Sequence, residues 1–131
     1  MPDNGAITIT GYTDSSGAVT IPTTNGWPEK KALHKPTSDG YGPARKLWEG
    51  ARPRVLNLRE VFDLCWKCHK LAPFCFYNGN TFAAIGRTLI QDLLQKMPPV
   101  KAHNFRSVVG HYIAGTIGSR EITDALADFE D

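Results

Sequence analysis

The residues best suited to chemistry are concentrated in one run, Cys65-Trp66-Lys67-Cys68-His69. The run separates two thiols by two residues and places an imidazole directly after the second thiol. Cysteines at this spacing serve three chemistries: a dithiol redox pair, a zinc site, or covalent attachment of haem through a C-x-x-C-H signature. The element that carries the run decides among them.

A dithiol redox pair needs its first cysteine at the N-terminus of a helix, where the helix dipole lowers the thiol pKa. Here Leu58, Phe62, Cys65 and His69 recur at helical spacing, which places Cys65 late in a predicted helix. The positive end of the dipole is then distant from the thiol. The pattern therefore disfavours a redox pair.

A structural zinc site needs four ligands arranged tetrahedrally, usually as two pairs on tight turns. No second paired motif accompanies Cys65 and Cys68, but further cysteine and histidine side chains follow in the sequence. Zinc therefore stays open as the alternative metal. Its candidate ligands are Cys65, Cys68, Cys75 and His111, with His69 or His103 as further possibilities.

The C-x-x-C-H pattern fits covalent haem better, because a helix places positions i and i+3 on one face. Both sulfurs can then reach two vinyl groups while the histidine at i+4 turns its ring to the iron. The sequence predicts a helix at this place. Haem c held by Cys65, Cys68 and His69 is accordingly the first cofactor expectation.

The stretch from about residue 56 to residue 114 resembles a small class I c-type cytochrome. Besides the Cys/His run, the resemblance is carried by Phe62 before the run and by a Met-Pro loop, Met97-Pro98, after a second helix. A closing helix over 105–113 completes it. The resemblance implies an electron carrier with His69 as proximal and Met97 as distal iron ligand, a pairing suited to electron transfer. His111 is the substitute for Met97. Covalent haem would imply the periplasm or the intermembrane space, whereas Met1 as the native start would imply the cytoplasm.

The elements that must position this run are helical. Asn57-Leu58-Arg59-Glu60 is a helix N-cap signal, and Pro73 ends the helix that follows. Further helices are expected over about 81–96 and 103–117, with a short last helix after Gly118-Ser119. The fold class is therefore mainly α, with residues 55–131 forming a compact bundle of three to four short helices.

The first 54 residues differ in character, holding six of the nine prolines and seven of the twelve glycines. They predict an extended arm with a short β-hairpin over 6–12 and 18–21, and one helical turn near 44–48. Trp27, Tyr41 and Trp48 are expected to anchor the arm on the helices of this chain. We therefore divide the chain into an arm, 1–54, and a helical domain, 55–131.

Composition limits the function classes. The chain of 131 residues carries a net charge of +2, and no apolar run approaches the length of a membrane span. No base-reading motif indicates nucleic acid, and no Ser-His-Asp set or paired carboxylates indicate an enzyme. The segment from Pro28 to Lys70 contains ten basic and five acidic residues, a local charge of 10 − 5 = +5. Such a basic arm would dock a redox partner or a larger complex.

Two other functions remain open. The second hypothesis is a non-catalytic interaction protein, with a zinc-binding or metal-free helical domain and an arm that wraps a partner. The third is a small-ligand binder that uses the turn at 78–81 with Arg87 and Arg106. Cys75, flanked by Phe74 and Phe76, is expected to be buried, and His111 to lie near the buried face of its helix.

Overall fold

The computed structural model describes residues 12–13, 19–20, 27 and 35–130. These residues are mainly α-helical, as expected, and the helices form a compact bundle. The helices are α1 Tyr41–Ala51, α2 Leu58–Lys70, α3 Asn78–Leu89, α4 Gln91–Gln95, α5 Pro99–Ala114 and α6 Ser119–Glu130. Within the described ranges, no helix has both the length and the apolar character needed to cross a bilayer.

The predicted start of α2 is confirmed as a full capping box. The backbone N–H of Glu60 donates to the Asn57 side chain at 2.8 Å, and the backbone N–H of Asn57 donates to the Glu60 carboxylate at 2.9 Å. Both contacts satisfy N–H groups that the first turn of a helix leaves unpaired. The apolar face predicted for α2 is buried, including Phe62 and Cys65. This helix therefore places the Cys/His run at its C-terminal end.

The helix predicted over 81–96 is divided into α3 and α4. Ile90 lies between the two helices, and its backbone, with φ −106° and ψ 16°, is not helical. Its side chain is fully buried, and we attribute the turn to this burial, which contributes more free energy than a continued helix would. The next helix, α5, begins four residues earlier than expected, at Pro99. Proline suits a first helical position, because its φ is preset and it lacks an N–H that would be left unpaired.

Two glycines allow α3 and α5 to approach closely where they cross. A Cβ atom at Gly86 of α3 would overlap the end of the Ile113 side chain on α5. A Cβ atom at Gly110 of α5 would lie 2.6 Å from the guanidinium of Arg87 on α3. Since each glycine accommodates a side chain of the facing helix, the two helices pack with α2 around one core.

The single helical turn expected near 44–48 is instead α1, an eleven-residue helix that packs on α2. Trp48 of α1 is fully buried, and the Trp27 ring centroid lies 5.8 Å from those of Tyr41, Trp48 and Phe74. The prediction that these aromatic residues anchor on the chain's own helices is confirmed. The physical reason for the longer helix is the burial of Ala44, Trp48 and Ala51 along one face of α1.

Among the residues that the structure describes, three two-residue strands accompany the helices: β1 Tyr12–Thr13, β2 Val19–Thr20 and β3 Val55–Leu56. β2 pairs antiparallel with both neighbours, placing Tyr12 opposite Thr20 and Val19 opposite Leu56. Most of the first strand predicted for the hairpin, residues 6–11, lies outside the described residues. The sheet connects the start of the chain to the residues just before α2.

Candidate functional site

The two cysteines and the histidine of the C-x-x-C-H run contact three different parts of the fold. Cys65 is fully buried, with its Sγ 3.5 Å from the position that a Cβ atom would take at Gly86 of α3. Cys68 is also fully buried, and its thiol donates to the carbonyl oxygen of Ala44 in α1 at 3.7 Å. His69 is half-buried beside the C-terminal end of α5.

The hydrogen bond of His69 indicates which of its two ring nitrogens carries a hydrogen. Nδ1 lies 2.9 Å from the carbonyl oxygen of Ile113, and because a carbonyl can only accept, Nδ1 carries the proton. In the neutral ring, Nε2 is then the acceptor. It faces the first turn of α3, where a Cβ atom at Gly79 would lie 3.3 Å away. His69 thus joins the ends of α2 and α5 beside the start of α3.

Burial also determines the state of the two thiols. Burial, with a smaller contribution from neighbouring Cys68, raises the pKa of the Cys65 thiol well above its usual value. Burial raises the pKa of the Cys68 thiol to about 12. Both side chains therefore remain neutral thiols near pH 7.

The surroundings of the thiols do not fit covalently attached haem. A macrocycle bonded to both sulfurs would lie against Cys65 and Cys68 together. That volume is taken by protein: Ala44 of α1 contacts Cys68, and Gly86 of α3 lies against Cys65. Attachment would require both helices to move away from the core that they share with α2.

Met97, the expected distal ligand, lies near the opposite end of α5 from His69. His69 contacts Ile113 in the last turn of α5, whereas Met97 precedes its first residue, Pro99. At a rise of about 1.5 Å per residue, Pro99 and Ile113 are roughly 20 Å apart. Two ligands of one iron lie only about 4 to 5 Å apart, at about 2 to 2.3 Å each from the metal. The structure therefore does not bring Met97 and His69 to a common metal.

The alternative zinc ligands are also separated. Cys75, expected to be buried, is exposed in the loop after α2. His111, expected near the buried face, is exposed on α5, where its Nδ1 lies 2.9 Å from the Thr116 hydroxyl. His103 is exposed on the same helix. Among the described residues, no three His, Cys, Asp or Glu side chains form a group that could hold a metal ion.

The loop 71–77 between α2 and α3 forms a surface that the sequence did not predict. Phe76 and Tyr77 are 58% and 60% exposed, and their ring centroids are 6.4 Å apart. The only sequence signal for this surface is the aromatic run Phe74-Cys75-Phe76-Tyr77. Because Phe74 is buried while Phe76 is exposed, the run alone does not distinguish an anchor from a contact residue.

This loop is held by hydrogen bonds from both of its neighbouring segments. Residues 35–37 run alongside it: the N–H of Thr37 donates to the Pro73 carbonyl at 2.9 Å, and the N–H of Cys75 donates to the Lys35 carbonyl at 3.0 Å. The Asn78 side chain forms two further bonds with the backbone of Phe74. The exposed aromatic residues therefore stand on a well-bonded loop.

The sequence matches no protein-family model, and no curated protein or solved structure gives a significant match.

Proposed function

We propose that this protein is a non-catalytic interaction protein with a metal-free helical domain, and that it binds a partner protein through loop 71–77. The observation that carries the proposal is the exposed aromatic pair Phe76 and Tyr77 on a loop bonded to residues 35–37. Exposed aromatic side chains on a rigid support are typical contact residues, because they bury a large area at a small cost in conformational entropy.

Backbone conformation supports a role for this loop beyond folding. Ala72 and Tyr77 adopt positive φ values of 51° and 59°, a region that costs non-glycine residues energy. Glycine would fit there without strain. A large tyrosine at a strained, exposed position contributes little burial in return, which favours a function in binding.

Charge indicates the chemistry of the partner. Lys67 and Lys70 are exposed in the last turns of α2, immediately before the loop. No Asp or Glu occurs between residues 64 and 91, so the segment that contains the loop carries only positive side-chain charge. We therefore expect a partner protein that offers an apolar cleft for the two rings and an acidic rim for the lysines.

The Cys/His run has a structural role in this proposal. Its two thiols pack in the core and its imidazole bonds to the α5 backbone, which supports a metal-free domain over the electron carrier suggested by the motif. Residues 41–51 form α1, so a partner-wrapping arm would consist of the residues before it.

The denatured intact mass and visible spectrum of protein from its own source test whether the domain is metal-free. We expect the mass of the bare chain and no Soret band; one covalently added haem would overturn the metal-free assignment.

The binding proposal is tested by photo-crosslinking in cells of the source organism, with the crosslinker placed at position 76. The matched control carries the crosslinker at Val100, an apolar residue of α5 that is 75% exposed. We expect one discrete crosslinked protein at position 76, lost in the variant Lys67→Glu/Lys70→Glu, and none at position 100. Equal products at both positions, or a product insensitive to the lysine charges, would overturn the proposal.

A further inference from the structure

An open cavity of about 450 Å³ lies on the face formed by α3, α4 and α5, away from the loop 71–77. We propose that it binds a small ligand through an oxyanion group, a phosphate or a carboxylate. Its lining brings together two arginines and two glutamines with the apolar side chains of Ala84 and Leu94. The lining residues are Ala84, Arg87, Thr88, Gln91, Leu94, Gln95 and Arg106.

Packing positions one of the two arginines. The guanidinium of Arg87 lies directly over Gly110 of α5, where a Cβ atom would be only 2.6 Å from its Nη1. The glycine thus provides the space that lets a charged group of α3 lie on the backbone of α5. Arg106 stands four residues before Gly110, and residues at this spacing share one face of a helix. Both guanidinium groups are therefore presented to the same cavity.

No acidic side chain of the described chain neutralises these two charges. The ion pairs of the described residues use other arginines, and none of the acidic side chains in these pairs contacts Arg87 or Arg106. The arginines in ion pairs are Arg45, Arg52, Arg54 and Arg59. Two like charges on one cavity repel each other, so a bound anion relieves this repulsion as well as accepting hydrogen bonds.

The remaining lining residues limit the type of ligand. The hydroxyl of Thr88 donates to the Ala84 carbonyl at 2.8 Å, so its hydrogen is already used within α3. Donors for a ligand come from the arginines and from the exposed amides of Gln91 and Gln95. Arginine forks match the geometry of phosphate and carboxylate oxygens. A volume of this size admits a small metabolite.

Titration of the full chain with inorganic phosphate tests the site, with NMR of the arginine side chains as the readout and ionic strength held constant with chloride. We expect saturable shifts of the Arg87 and Arg106 signals. Arg87→Gln and Arg106→Gln should each weaken phosphate binding roughly tenfold, the loss expected for one charge-assisted hydrogen bond. Arg120→Gln, which removes an exposed arginine of α6 outside the cavity lining, should leave the affinity within about twofold.

A parallel titration with acetate separates the two ligand chemistries. Saturation by phosphate alone assigns a phosphate site, and saturation by acetate alone assigns a carboxylate site. If neither anion gives saturable shifts, or if the Arg87→Gln/Arg106→Gln variant binds phosphate as the unmodified chain does, the proposal is overturned. Circular dichroism of each variant establishes that it folds, and these surface substitutions leave the core intact.

Discussion

The imidazole of His69 donates from Nδ1 to the carbonyl oxygen of Ile113 at 2.9 Å, joining the last turn of α2 to the last turn of α5. Through this hydrogen bond, the histidine of the C-x-x-C-H run helps to hold two helices together. A motif associated with cofactor attachment thus has a structural role in the fold.

Replacing His69 with alanine should destabilise the protein, because the Ile113 carbonyl then loses its side-chain donor and α2 loses one of its contacts with α5. We expect a decrease in the free energy of unfolding of about 1 to 2 kcal/mol. Urea denaturation followed by circular dichroism measures it. His103→Ala, which removes an exposed histidine of α5, is the control and should change stability by less than about 0.5 kcal/mol. Equal effects of the two substitutions would contradict the structural role.

Thiol labelling of the native chain should modify Cys75 and leave Cys65 and Cys68 unmodified. Cys75 is exposed, whereas the other two thiols are buried and remain protonated because burial raises their pKa. Mass spectrometry after treatment with iodoacetamide at pH 8 should show one adduct, and labelling in urea should show three. The Cys75→Ser variant provides the check, since it should take up no label while folded. Rapid native labelling of Cys68 would show that α1 does not cover it.

Alkaline pH should destabilise the fold through the same thiols. The folded pKa of Cys68 is about 12, against a usual value of 9.0 that describes the unfolded chain. The unfolded state therefore releases a proton first as pH rises. Stability is complete below about pH 9 and is lost progressively as pH rises towards 12. Between pH 9 and pH 10 this thiol should contribute a loss of about 1 kcal/mol.

The contribution of Cys68 is isolated by comparing the unmodified chain with Cys68→Ala in urea denaturation at both pH values. The variant is less stable at both pH values because the substitution leaves a small cavity. The informative quantity is therefore the change in the free energy of unfolding between pH 9 and pH 10. That change should be smaller in the variant by about 1 kcal/mol. An identical pH dependence in both chains would show that the thiol is accessible to water in the folded state.

Gly40 should tolerate no side chain. It is the N-cap residue of α1 and is buried against the loop after α2, so an added Cβ atom would lie 2.5 Å from the Ala72 carbonyl oxygen. This neighbour is backbone and cannot rotate away. Gly40→Ala should therefore cost about 2 to 3 kcal/mol. Gly50→Ala, with open space at its Cβ position within α1, should stabilise by up to about 1 kcal/mol. Thermal denaturation of both variants distinguishes these outcomes.

Much of the local structure could be predicted from sequence. The capping box at Asn57 and Glu60 and the buried faces that include Phe82 and Val109 follow from patterns within a few residues. The extent of α1 and the break at Ile90 could not be predicted in this way. Both depend on which distant surface covers the side chain, and this burial can outweigh local propensity.

The candidate site illustrates the same division. By itself, the sequence determined that Cys65, Cys68 and His69 lie on one amphipathic helix, since helical periodicity is encoded locally. Only the tertiary structure decided their environments: α1 covers one thiol, α3 lies against the other, and a carbonyl of α5 accepts the hydrogen bond of the histidine. It also left Cys75 exposed and placed Arg87 and Arg106 at one cavity. Burial and proximity depend on how separate segments pack, and no local pattern records which segments meet.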